Sequence, residues 1–120
     1  MTRILAVDDS PSMRDMVRIA LTSAGFEVVQ ATDGEEALRL ARAEAFDLVL
    51  ADVNMPNMDG IALIRALRAE DAYRHTPILM LTTDGSAERK REGKEAGATG
   101  WIVKPFDPAQ LVATMLRVLR

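Results

Sequence analysis

Apolar positions in this chain fall into two patterns. Ile4-Leu5-Ala6-Val7, Leu48-Val49-Leu50-Ala51, Ile78-Leu79-Met80-Leu81 and Trp101-Ile102-Val103 are short continuous runs. The segments between them carry apolar residues at helical spacing. Short apolar runs alternating with helix-like segments predict buried parallel strands. The strands are expected over about Arg3 to Val7, Glu27 to Ala31 and Asp47 to Ala51, then after Pro77 and around Trp101 to Val103.

The helices between them are marked by their ends. The first opens at Ser10-Pro11, an N-cap followed by proline in the first turn. Its apolar face is Met13, Met16, Val17, Ala20, Leu21 and Ala24, and Gly25 closes it. The second starts at Asp33, with Glu36 placed for a capping-box-like arrangement. A turn-rich loop, Asn54-Met55-Pro56-Asn57-Met58, precedes a third helix capped by Asp59, with Ile61, Ile64 and Leu67 inward. The fifth opens at Asp107-Pro108 and carries Leu111, Val112, Met115, Leu116 and Leu119 on one stripe. Arg117 and Arg120 stand where a helix C-terminus favours cations.

The fourth helix, Ser86 to Ala96, breaks the pattern. Only alanine and glycine could form its inner face, and Gly93 costs about 1 kcal/mol against alanine in a helix interior. It is expected to be the least stable helix and the easiest to shift. Strand-helix alternation with crossovers of this length predicts an α/β fold, a doubly wound five-stranded parallel sheet flanked by five helices.

Ligands bind outside the carboxyl ends of the strands in such a sheet. There the runs stop at Asp8-Asp9, Asp52, Thr82 and Lys104. Three acids, a hydroxyl and an amine are therefore expected in one crevice. Two unit charges ~4 Å apart repel by about 4 kcal/mol at an effective dielectric of ~20, so three carboxylates invite a hard divalent cation. All-oxygen ligation suits Mg²⁺. A metal, a lysine, a hydroxyl and a free carboxylate suit a phosphoryl group, with the carboxylate as nucleophile. Singly, each of these residues has an ordinary reading as a cap, a turn acid or a solvated strand end. Asp33, Asp59 and Asp107 are read that way.

Composition narrows the rest. A chain of 120 residues is expected to be one domain, residues 1–120, without an output domain. There is no cysteine, so disulfides and thiol catalysis are excluded. The net charge of −3 disfavours non-specific nucleic-acid binding. With no signal peptide and no membrane-spanning stretch, the chain is read as cytoplasmic.

Val7-Asp8-Asp9-Ser10, Asp52-Val53-Asn54-Met55-Pro56-Asn57-Met58-Asp59-Gly60, Met80-Leu81-Thr82-Thr83 and the run Ala96 to Phe106 resemble the receiver domain of two-component response regulators. The likeness is to the single-domain chemotaxis (CheY-like) type and extends end to end. It implies the flavodoxin-like strand order 2-1-3-4-5, for which flavodoxin and CheY are standard examples. It implies that Asp52 takes phosphate from the phosphohistidine of a sensor kinase. Mg²⁺ would be held by Asp9, Asp52 and the backbone carbonyl of Asn54, with Asp8 acting largely through water. Lys104 would contact the phosphoryl oxygens, and Lys104-Pro105 would be cis. Thr82, rather than Thr83, would swing to the new group, with Trp101 as the switch aromatic. Asn54 and Asp84 would tune dephosphorylation, expected on a seconds-to-minutes scale.

The resemblance further implies a signalling protein whose only chemistry is its own phosphorylation and dephosphorylation. The implied partners are a chemotaxis histidine kinase, a flagellar motor switch or other chemosensory protein met through the fourth helix, fifth strand and fifth helix, and a phosphatase. The chain would be monomeric and bind neither nucleic acid nor membrane. Two alternatives stand: a phosphate sink or relay, and a Mg²⁺-dependent phosphatase with an aspartyl nucleophile. Phosphatases of the haloacid-dehalogenase type place two acids two residues apart after the first strand, whereas here they are adjacent.

Overall fold

The computed structural model describes residues 1–55 and 57–119. Pro56, expected in the turn-rich loop, and Arg120, expected at the end of the last helix, lie outside the described residues. Five strands, β1 (Arg3–Val7), β2 (Glu27–Ala31), β3 (Leu48–Asp52), β4 (Ile78–Thr82) and β5 (Gly100–Val103), form one parallel sheet of order β2-β1-β3-β4-β5. The helices are α1 (Pro11–Ser23), α2 (Gly34–Ala43), α3 (Gly60–Arg68), α4 (Ala87–Ala96) and α5 (Pro108–Val118), with a 3-10 turn at Asp71–Tyr73.

The continuous apolar runs are continuous because both sheet faces are covered. Leu5, Val7, Val49 and Met80 meet α2, α3 and α4 on one side. Ile4, Ala6, Leu50 and Leu81 meet α1 and α5 on the other. β3 and β4 are buried at every position, as expected of strands near the centre of the order.

Several boundaries differ by one residue from the reading of the runs. β3 begins at Leu48, just after Asp47, whose carboxylate accepts the Arg3 backbone N–H, and it extends to include Asp52. β4 likewise includes Thr82, and β5 starts at Gly100. Ser10, Asp33, Asp59, Ser86 and Asp107 each cap a helix through the side chain. Only Asp107 forms a full capping box, with Gln110; the Glu36 carboxylate reaches past Asp33 to the Thr32 N–H at 2.7 Å.

The expected apolar faces of α1 and α5 are wider than the surface the sheet covers. Val17, Leu21, Leu111 and Met115 are buried, but Ala24 is exposed and Leu116 stands 50% exposed. Exposed Ile19, with Met16 and Val112, instead lines a shallow apolar groove of about 790 Å³ between the two helices. Met55 and Met58 pack towards the α2 and α3 side, and Met58 lies directly against Gly34. Tyr73 is buried, its hydroxyl within hydrogen-bond reach of the Ala41 and Glu44 carbonyls, at 2.7 and 2.8 Å. His75 is exposed.

Candidate phosphoryl-acceptor site

Sheet register aligns the functional strand ends. Val7 pairs with Ala51, so Asp8 and Asp52 leave neighbouring strands side by side. Asp52 pairs with Leu81, and Thr82 pairs with Val103, which brings Lys104 in from the edge. Lys104 Nζ lies 3.2 Å from Asp8 Oδ2 and 3.3 Å from Asp52 Oδ1. The Lys104–Pro105 peptide is cis.

Asp8 is buried and further fixed by the Ser10 backbone N–H, which donates to its Oδ1 at 2.9 Å. Arg14 Nη1 donates to the Asp8 carbonyl at 2.8 Å, a brace the sequence patterns did not single out. Asp9 is exposed at the crevice mouth. Asp52 is only 6% exposed. Burial, and then repulsion from Asp8, push its carboxyl above the ordinary carboxylate range. Lys104 and the Asn54 backbone N–H pull the other way. One carboxylate oxygen from each of Asp8, Asp9 and Asp52 lies within 4.8 Å of the other two. Three converging hard oxygens fit a small divalent cation.

The backbone around Asp52 is crowded. The Gly60 N–H donates to the Val53 carbonyl at 2.9 Å, so α3 begins against the end of β3. A Cβ at Gly60 would stand 2.3 Å from the Asp52 carbonyl oxygen, so this position needs glycine.

The expected constellation is incomplete in one respect. Thr82 is fully buried, but its hydroxyl is engaged in its own loop. Thr82 Oγ1 donates to the Asp84 carbonyl at 3.1 Å and accepts the Asp84 N–H at 3.0 Å. Thr83 is exposed. Trp101 is 37% exposed, with Lys90 Nζ of α4 5.2 Å above its ring. The indole is thus turned outward and covered by a cation.

Across the mouth, Arg89 Nη2 of α4 reaches Asn54 Oδ1 at 3.4 Å while Nη1 holds Glu92 at 2.8 Å. No pattern in the chain signals this contact. Arg89 sits in a run of alternating charges that reads as a solvated face.

A five-stranded parallel sheet that gathers carboxylates and a lysine at its carboxyl edge marks a class of signalling domains. The chain belongs to the response regulator receiver domain family, whose model matches residues 4–116. It is 53% identical to chemotaxis protein CheY4 of Vibrio cholerae, with a TM-score of 0.96 over 98% of each chain. A receiver domain of the sensor histidine kinase PA1611 from Pseudomonas aeruginosa, with a magnesium ion coordinated in its active-site cleft, is 30% identical. Its TM-score is 0.92, covering 98% of this chain and 97% of that one. The transcriptional regulator RpaA of Synechocystis is 38% identical over 120 residues, and the chain spans only 50% of its length.

Proposed function

We propose that Asp52 accepts a phosphoryl group from a phosphohistidine on a sensor histidine kinase and that the product switches the α4–β5–α5 surface. The observation that carries this reading is Asp52 itself, a buried carboxylate 3.3 Å from Lys104 and flanked by Asp8 and Asp9. An Asp52 oxygen attacks phosphorus, the P–N bond breaks, and the imidazole leaves with the electron pair and takes up a proton. The product is an acyl phosphate. Mg²⁺ held by Asp8, Asp9, Asp52 and the Asn54 carbonyl would supply neutralisation of the phosphoryl oxygens.

Lys104 bridges Asp8 and Asp52 before transfer, so its ammonium is already placed to follow negative charge onto the new group. The phosphoryl group brings a charge near −2 and three acceptor oxygens. Thr82 exchanges its loop contacts for one of these oxygens. Leaving Asp84, it frees the loop between β4 and α4, and Trp101 turns inward once the Lys90 side chain moves off its ring.

The likeness to CheY4 supports a chemotaxis or motility role, with a motor-switch or other chemosensory protein as target and a cytoplasmic, monomeric single-domain protein as context. A phosphate sink or relay is the second reading. It is favoured by α4, whose exposed face is a mixture of charges, Arg91, Lys94 and Glu95 among them.

The test is intact-mass analysis after exposure to acetyl phosphate and Mg²⁺. The wild-type chain gains the mass of one phosphoryl group and Trp101 fluorescence changes, while Asp52→Asn shows neither. Labelling that persists in Asp52→Asn would refute the assignment.

A further inference from the structure

Asn54 and Arg89 meet beside the proposed phosphoacceptor. The Asn54 backbone N–H lies near enough to the Asp52 carboxylate to pull its pKa down, which places Asn54 next to that group. Arg89 comes from the first turn of α4, where the Ser86 hydroxyl accepts its backbone N–H at 3.2 Å and caps the helix. Its guanidinium is anchored by Glu92 at 2.8 Å and reaches Asn54 Oδ1 at 3.4 Å. Asn54, Asp84, Arg89 and Glu92 line one polar cleft of about 320 Å³. The Arg89 charge also acts on Asp84, whose carboxyl is held below its ordinary range, chiefly by Ser86.

Guanidinium has donors only, so this contact fixes which end of the Asn54 amide faces which way. Oδ1 points to α4, and Nδ2 is the end left to turn elsewhere. Hydrolysis of an acyl phosphate on Asp52 forms a bond from water oxygen to phosphorus. The bond from phosphorus to the Asp52 oxygen breaks, the electron pair returns to the carboxylate, and the water proton leaves on inorganic phosphate. A water molecule is best aimed when an acceptor holds one of its hydrogens and leaves a lone pair towards phosphorus. The Asn54 carbonyl oxygen and the Asp84 carboxylate are such acceptors in this cleft.

We propose that Arg89 is a positioning residue that lengthens the life of the phosphoryl group by occupying the acceptor end of the Asn54 amide. The inference rests on Asp52 being the phosphoacceptor and adds to that reading what governs the loss of phosphate. α4 thereby acts on the site directly, through one guanidinium.

The experiment follows phosphate loss by intact mass after acetyl phosphate is removed, with Mg²⁺ present throughout. It compares wild type, Arg89→Ala, Asn54→Ala and the double variant. Arg89→Ala loses phosphate about five-fold faster, the size expected for one long, ordinary hydrogen bond. In the Asn54→Ala background the Arg89 substitution changes nothing, because the amide it positions is gone. An unchanged or longer lifetime in Arg89→Ala overturns the proposal, and so does equal acceleration in both backgrounds. If wild type never gains the phosphoryl mass, the Asp52 reading falls with it. If it does, a null result falls on Arg89 alone.

Discussion

Helices α3 and α4 flank the same crevice and pack against each other, yet α3 buries Ile61, Leu63, Ile64 and Leu67 while α4 buries only Gly93 and Ala96. A fully buried aliphatic side chain stabilises by roughly 1.5–3 kcal/mol, so α3 is fastened along its length. α4 is fastened by its Ser86 cap, by the left-handed Gly97 at its end, and by the tethers of Arg89 and Lys90. On the proposed reading, the β3–α3 wall carries the phosphoryl acceptor Asp52, and the β4–α4 wall carries Thr82, which would change partners. Unequal packing would then let one wall be a fixed reference and the other a responder.

Side-chain truncation tests this contrast most severely. Leu63→Ala should cost about 2–5 kcal/mol in urea unfolding. Lys94→Ala, exposed on α4, should stay within about 0.5 kcal/mol. Comparable losses at both positions would dissolve the distinction. The two glycines give a finer test. Gly60→Ala drives a Cβ into the Asp52 carbonyl and should cost about 1–3 kcal/mol. Gly93→Ala meets only the flexible end of Met80, 2.7 Å from its sulfur. There a helix-propensity gain of about 1 kcal/mol offsets much of the crowding. Unfolding midpoints should therefore separate the two.

The smallest effect concerns charge on the fixed wall. Asp52 holds its proton more tightly folded than unfolded, because burial and Asp8 raise its pKa above the ordinary 3.8. The folded state therefore binds more protons, and Asp52 opposes folding increasingly as pH rises from that value through the folded one. In chelator, Asp52→Asn should stabilise the protein at neutral pH. The gain should shrink on acidification and vanish once both states are protonated. A loss of stability at neutral pH would mean that pairing with Lys104 outweighs burial.

Much of this architecture was legible in the chain. Strands buried on both faces leave uninterrupted apolar runs, and caps such as Ser10 and Asp107 announce helices, so the sheet and its crevice follow closely. The convergence of Asp8, Asp52 and Lys104 was legible because a strand end has a fixed place in such a fold. What escaped was set by side-chain reach. Thr82 faces Asp84 because a buried hydroxyl takes the nearest backbone partners, which no periodicity encodes. Arg89 crosses to Asn54 along a flexible stem, from a segment whose composition reads as plain solvent exposure. Leu116 lies on the expected stripe yet is half in water, because the stripe of α5 is broader than the sheet edge beneath it.

Arg68 gives α4 a geometry as well as a looseness. Its guanidinium donates to the carbonyls of Gly97 at 2.9 Å, Thr76 at 2.7 Å, and Tyr73, clamping the far end of α4 to the opposite rim of the sheet. A ten-residue helix is about 15 Å long, so tilting it a few degrees about that clamp carries the Ser86 end through about 1 Å. The segment would swing like a door, with its free edge over the proposed acceptor and its pivot at a cation distant from Asp52.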